Sequence, residues 1–221
     1  MLNLSNNQKI SIFIALLAII LMIFIIDNND NWKYKVQSLK EGDKIVAFGD
    51  SLTYGYQLPR DASYPSLLNQ ELNYKYNVVN YGINGNTTVD GLNRFEDMLE
   101  KESPQLVILA LGGNDILKRV KPENTKSNLI KMIKLSRQSG AQVLLLPNPE
   151  PSVKGLVFGL KDYYIFDDVS KETQTPILLN TYSKWLSKDN YKIDQIHLNK
   201  DGYYEIAKEI TRQLKNNKVV E

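Results

Sequence analysis

The chain has 221 residues, with 27 lysines and arginines against 25 aspartates and glutamates and a formal net charge of +2. The basic residues are scattered and form no stripe, so nucleic acid is not an expected partner. Cysteine is absent and His197 is the single histidine. That excludes disulfides, thiolate nucleophiles and lipid-modified cysteine, and leaves few ligands for a transition metal. No metal or other cofactor is expected.

Residues 10–26 are almost wholly apolar, interrupted by Ser11. As a helix rising about 1.5 Å per residue they span roughly 25 Å, close to a hydrocarbon core of about 30 Å. The run is longer than a signal-peptide core of about 7–15 residues, and no small-x-small cleavage pattern precedes Asp27. Residues 1–27 therefore read as an N-terminal membrane anchor, with a cleaved signal segment and a secreted body as the alternative. Lys9 lies before the run, and Asp27 and Asp30 lie after it. This charge order places the body on the extracytoplasmic side. Residues 28–42, polar and charged, read as a tether. At the junction of anchor and tether, Asp27-Asn28-Asn29-Asp30-Asn31 looks superficially like a calcium loop. It has Trp32 where the turn needs glycine and Ser38 where the bidentate glutamate belongs, so no calcium site is expected.

The body, residues 43–221, alternates short apolar runs with helix-like stretches. Runs at residues 44–48, 77–80, 106–111, 142–146 and, more weakly, 176–179 have the length and continuity of buried parallel strands. Helices are predicted over 64–72, 89–101, 124–139, 162–172 and 201–215. In the last, Ile206, Ile210 and Leu214 form a stripe with a four-residue repeat. This alternation predicts an α/β layer fold, in which ligands bind beyond the carboxyl ends of the strands. Three glycine-bearing turns fall there: Gly49-Asp50-Ser51, Gly82-Ile83-Asn84-Gly85 and Gly112-Gly113-Asn114-Asp115. Gly82-x-x-Gly85 is not a dinucleotide fingerprint, and no Walker motif occurs.

If the chain runs serine hydrolase chemistry, His197 alone is available to take the hydroxyl proton. Asp194, three residues earlier, offers a carboxylate to orient the ring through its other nitrogen. The set Gly49-Asp50-Ser51-Leu52, Gly85, Gly113-Asn114-Asp115 and Asp194-x-x-His197 resembles the SGNH hydrolases, also called GDSL esterases or lipases. The likeness runs from about Lys44 to the last helix, with the four elements in family order. Gly49-Asp50-Ser51-Leu52-Thr53-Tyr54-Gly55-Tyr56 and Asp194-Gln195-Ile196-His197 are similar to the bacterial arylesterase, acyl-CoA thioesterase and lysophospholipase branch.

The resemblance implies a three-layer, flavodoxin-like fold with a mostly parallel five-stranded sheet. It implies Ser51 as nucleophile, His197 as base and Asp194 as orienting carboxylate. It implies an oxyanion hole made by the backbone N–H groups of Ser51 and Gly85 and the side-chain amide of Asn114. Leu198 stands where the family usually has proline after the histidine, and Asn84 where many relatives carry serine. The activity implied is hydrolysis of acyl, aryl or thio esters through an acyl-serine intermediate, with a small-molecule or lipid ester as substrate. The competing expectation is a non-catalytic, membrane-tethered binding or assembly protein on the same scaffold. Tyr54 and Tyr56 either wall the substrate cleft or pack their helix, and the apolar loop at residues 155–160 either lines an acyl pocket, touches the bilayer or packs in the core.

Overall fold

In the computed structural model, which describes residue 12, residues 32–150 and residues 159–221, four of the apolar runs pair as a parallel sheet. These are β1 (Lys44–Gly49), β2 (Asn77–Gly82), β3 (Leu106–Ala110) and β4 (Gln142–Leu145), in the order β2-β1-β3-β4. Ile45 pairs with Val78 on one side and Leu106 on the other, and Leu106 pairs in turn with Gln142. Residues Trp32–Glu221 form one compact unit. The expected anchor at residues 10–26 lies outside the described residues apart from residue 12, and residues 155–158 of the apolar loop also lie outside them. Among the described residues no helix is long and apolar enough to cross a membrane.

Continuous apolar strands need cover on both faces, because successive side chains point to opposite sides. Helices supply that cover here. Ile45, Ala47, Leu106, Ile108 and Leu144 face α2 (Tyr64–Glu71), α8 (Thr181–Leu186) and α9 (Lys200–Asn216). Val46, Phe48, Val107, Leu109, Val143 and Leu145 face α4 (Phe95–Glu102), α6 (Pro122–Gln138) and α7 (Ile165–Thr173). The stripe at Ile206, Ile210 and Leu214 is fully buried, as its repeat predicts. Among the described residues there are also the short helices α1 (Ser51–Tyr54), α3 (Thr88–Asn93) and α5 (Gly113–Leu117), 3-10 turns at Arg60–Ala62 and Asp189–Tyr191, and a two-stranded ribbon of β5 (Pro149–Glu150) and β6 (Lys161–Asp162).

Three sequence expectations are corrected. The fifth strand, expected at residues 176–179, is only a parallel bridge between Ile177 and Leu145. The Leu145 N–H donates to the Pro176 carbonyl and the Leu178 N–H to the Leu145 carbonyl. Pro176 has no N–H to extend the ladder, and Asn180 turns the chain away at φ +57. The helix expected over 89–101 is two helices broken at Arg94, whose backbone leaves helical geometry at φ −115, ψ 6. The stretch expected as a tether is packed against the body from Trp32 onward. Val36 and Leu39 are buried in the core, the Leu39 N–H donates to the Val219 carbonyl, and the Trp32 N–H donates to Asn217 Oδ1. A polar composition hid two apolar side chains long enough to anchor it.

Close approach fixes the turn after β1. A Cβ on Gly82 would overlap the backbone of Thr53 and Tyr54, and one on Gly49 would overlap the Thr53 side chain. Both glycines let α1 lie directly on the strand ends. Gly82→Ala is therefore expected to destabilise the body by about 1–3 kcal/mol, as overpacking does. That lowers Tm by roughly 2–4 °C per kcal/mol for a domain of this size. Calorimetry reads this, and an unchanged Tm would contradict the packing account.

Candidate active site

Chain connections leave β1 toward β2 on one side and reach β3 on the other, so the loops beyond their carboxyl ends diverge and open a crevice. Asp50, Ser51, Leu52, Gly113, Asn114, Leu117, Asn148, Pro149, Ile196 and His197 line it. The rule that ligands bind at strand ends is thus met by loops from three of the four strands and by the loop before α9.

Ser51 opens α1 directly after β1. Asp50 caps this helix, its Oδ1 accepting the Leu52 N–H at 2.9 Å. The helix ends after one turn because Gly55 adopts φ +88. Among the described residues the Ser51 N–H meets no acceptor, as befits a first helical residue whose cap serves the next one.

His197 comes from the far end of the chain. Its loop is clamped by an antiparallel bridge between Lys192 and Leu198, in which the Ile193 N–H donates to the His197 carbonyl and the Asn199 N–H to the Tyr191 carbonyl. The Leu198 N–H is not part of that clamp, and the Leu198 side chain is fully buried in the core. Asn199 then caps α9 by accepting the Gly202 N–H.

The structure brings Ser51 into one line with the distant pair Asp194 and His197. His197 Nε2 lies 2.9 Å from Ser51 Oγ, and His197 Nδ1 lies 2.8 Å from Asp194 Oδ2. Asp194 Oδ1 also accepts the N–H groups of Ile196 and His197 at 2.9 and 2.8 Å. Partial burial works against its ionisation. The two backbone donors and the imidazole outweigh that and hold the carboxyl below its usual range. Tyr56 packs its ring on the imidazole at 4.5 Å between centroids, whereas Tyr54 faces Arg60. Of the two tyrosines expected at the cleft, the geometry joins only Tyr56 to the histidine.

Gly85 and Asn114 also converge here. Gly85 sits at φ +76, and its N–H meets no acceptor among the described residues. Asn114 Nδ2 donates to the Asn86 carbonyl at 3.0 Å and approaches Asp50 Oδ2 at 3.4 Å. The next residue, Asp115, is fully buried. It accepts from the Thr88 N–H at 2.8 Å, the Thr88 hydroxyl at 2.5 Å and the Thr125 hydroxyl at 3.1 Å. That network ties α5 to the start of α3 and to α6.

A 27-residue offset in sequence between Thr88 and Asp115 thus becomes a rigid joint beneath the amide.

Sequence reasoning missed Asn148 and Arg94. Asn148 is fully buried at the end of β4, with Nδ2 3.2 Å from Asp50 Oδ2. The strand-end rule applied to a fourth loop would have found it. Arg94 sits in what the sequence presents as the middle of an amphipathic helix, where an arginine carries no signal.

A chain of this geometry can activate a hydroxyl and receive a developing oxyanion. The family model described as GDSL-like lipase/acylhydrolase matches residues 47–204. An arylesterase of Vibrio mimicus is 32% identical over 176 residues, covering 78% of this chain and 88% of that protein. The chain belongs to the GDSL-like lipase/acylhydrolase family. It is a carboxylic ester hydrolase. The thioesterase 1/protease 1/lysophospholipase L1 of Escherichia coli K12 is 31% identical over 173 residues, covering 78% of this chain and 83% of that one. The crystal structure of TesA superposes with a TM-score of 0.70 at 27% identity, covering 79% of this chain and 99% of its own.

Burial pushes the Asp50 carboxyl up to about 7, against the opposing pull of the Leu52 N–H and the Asn148 amide. A carboxyl raised in the folded state binds its proton more tightly there than when unfolded. Its stabilising contribution is full below about pH 4 and is lost as pH rises through about 7. For a fully buried group this is on the order of a few kcal/mol. Asp50→Asn is therefore expected to gain in Tm relative to the unsubstituted chain between pH 4 and pH 8. A Tm difference that stays constant over that range would contradict it.

Proposed function

We propose that the chain hydrolyses carboxylic esters with Ser51 as nucleophile, His197 as general base and Asp194 as the group that orients the imidazole. The observation that carries this reading is the unbroken line Asp194 Oδ2–His197 Nδ1, His197 Nε2–Ser51 Oγ. The Asp194 contact favours the tautomer with hydrogen on Nδ1, which leaves Nε2 free to accept the serine proton. As Ser51 Oγ attacks the ester carbonyl, the proton passes to Nε2 and charge collects on the carbonyl oxygen. The N–H groups of Ser51 and Gly85 and the amide of Asn114 are the donors for it. Each such donor is worth about 10²–10³ in rate. Protonated Nε2 then returns its proton to the leaving alcohol or thiol. Water, deprotonated by the same nitrogen, then attacks acyl-Ser51, and the acid leaves as Nε2 returns that proton to Ser51 Oγ.

Acyl and aryl esters and acyl thioesters are the substrates this reading favours, with lysophospholipids among them. Relatives named arylesterase and thioesterase 1/protease 1/lysophospholipase L1 support that class. Support also comes from the crevice wall, where Leu117 and Ile196 are exposed apolar side chains beside the candidate nucleophile. The apolar run at residues 10–26 is read as the anchor that holds the body at the extracytoplasmic membrane surface, near lipid-derived esters. The complete set of site groups favours catalysis over a purely binding role on the same scaffold.

The test assays p-nitrophenyl ester hydrolysis in membrane and soluble fractions of cells making the full chain, alongside Ser51→Ala. Activity should sediment with membranes, enter solution with detergent, and fall on the order of 10³-fold or more in Ser51→Ala. Undiminished turnover in Ser51→Ala would overturn the chemistry. Activity found in the soluble fraction alone would overturn the anchor.

A further inference from the structure

Arg94 stands outside the line from Asp194 to Ser51, yet its guanidinium reaches three separate pieces of the site's frame. Nη2 donates to the Gly49 carbonyl at 3.0 Å, one residue before the cap of α1. Nη1 donates to the Tyr81 carbonyl at 3.0 Å, at the end of β2. Nε donates to Asn86 Oδ1 at 2.8 Å, and the Asn86 carbonyl in turn accepts the Asn114 amide at 3.0 Å. The guanidinium carbon also lies over the Phe48 ring, 4.0 Å from its centroid. Among the described residues it makes no ion pair. It spends its donors on two backbone carbonyls and one amide.

That use is costly and specific. Burial pulls the guanidinium down to about 10, against the opposing charge of Asp90, and a desolvated cation with no direct ion pair draws its compensation from the hydrogen bonds its donors make. The rigid planar fork is suited to holding three acceptors at fixed angles. Breaking the helix at Arg94, which separates α3 from α4, is what turns the side chain back toward the strand ends. Lys118 Nζ donates to the Gly85 carbonyl at 3.0 Å, linking the same loop to α5 from its exposed side.

We propose that Arg94 is a positioning residue for the oxyanion site: through Asn86 it fixes the Gly85–Asn86 turn and with it the Asn114 amide. The inference rests on the catalytic reading of Asn114. Arg94 touches none of the reacting groups; its effect reaches substrate through the carbonyl that holds that amide. Loss of Arg94 then loosens a donor needed only as charge develops, which lowers kcat and leaves KM nearly unchanged.

The experiment is a double-mutant cycle of Arg94→Gln with Asn114→Ala, read in kcat and KM on a p-nitrophenyl ester. Arg94→Gln alone should lower kcat about 10–100-fold with KM moving less than about threefold. In the Asn114→Ala background the same change should cost less than about twofold, because the group it positions is gone. Arg94→Ala should regain kcat with millimolar guanidinium ion but not with sodium chloride. Should Arg94→Gln fail to fold, Asn86→Ala, which removes only the Nε acceptor, is read through the same cycle. An undiminished Arg94 or Asn86 effect in the Asn114→Ala background, or a rise in KM with kcat unchanged, would overturn the inference. If Asn114→Ala itself leaves kcat intact, the oxyanion reading fails first and separately.

Discussion

The contact on which the site depends is the 2.9 Å approach of His197 Nε2 to Ser51 Oγ, made between residues 146 apart in sequence. A serine hydroxyl is a weak nucleophile until a base shares its proton, so the fold must deliver two distant loops to hydrogen-bond distance and hold them. Ser51 is fixed by glycines that allow α1 to rest on the strand ends, and by the Asp50 cap. His197 is fixed by the Lys192–Leu198 bridge and by the Asn199 cap of α9, whose apolar stripe is locked in the core. The two halves meet because Leu52 of α1 and the apolar stripe of α9 pack into the same core on one face of the sheet. Tyr203 of α9 completes the join, its hydroxyl 3.4 Å from the Ser51 carbonyl.

Around that contact the polar groups are sorted by what each must do. Asp194 is ionised by two backbone donors and the imidazole. Asp50, next to Ser51 in sequence, is buried and driven toward its neutral form. Different environments thus give neighbouring carboxyls different charge states at one pH. Arg94 and Asp115 lie a layer further out. One reaches the ends of β1 and β2 and the Asn86 side chain, and the other joins α3, α5 and α6.

Much of this was legible from the sequence, for physical reasons. A lone histidine allowed no other base, and Asp194 stood at the spacing that lets one loop present both groups. Strand periodicity located three glycine-bearing turns, two of which, at Ser51 and at Asn114, border the crevice. What escaped reading was whatever depends on three-dimensional partners. Arg94 reads as an ordinary helical residue until its backbone breaks the helix to reach three acceptors. Asn148 lies between two prolines at the end of β4, where a loop reading is natural, and only burial against Asp50 shows its part. The shortened fifth strand and the docked segment after Trp32 failed for the same reason. Each is decided by a few hydrogen bonds and two or three buried side chains, which composition averages away.

Fluorophosphonate labelling of the folded, ester-active protein, followed by intact-mass analysis and peptide mapping, tests the central claim most directly. The reagent reacts with a serine only when a base withdraws its proton and donors receive the phosphonyl oxygen. The account predicts a single adduct on Ser51, formed far more slowly in His197→Ala. An ester-active preparation with no label on Ser51, or labelling that proceeds at the same rate without His197, would contradict it.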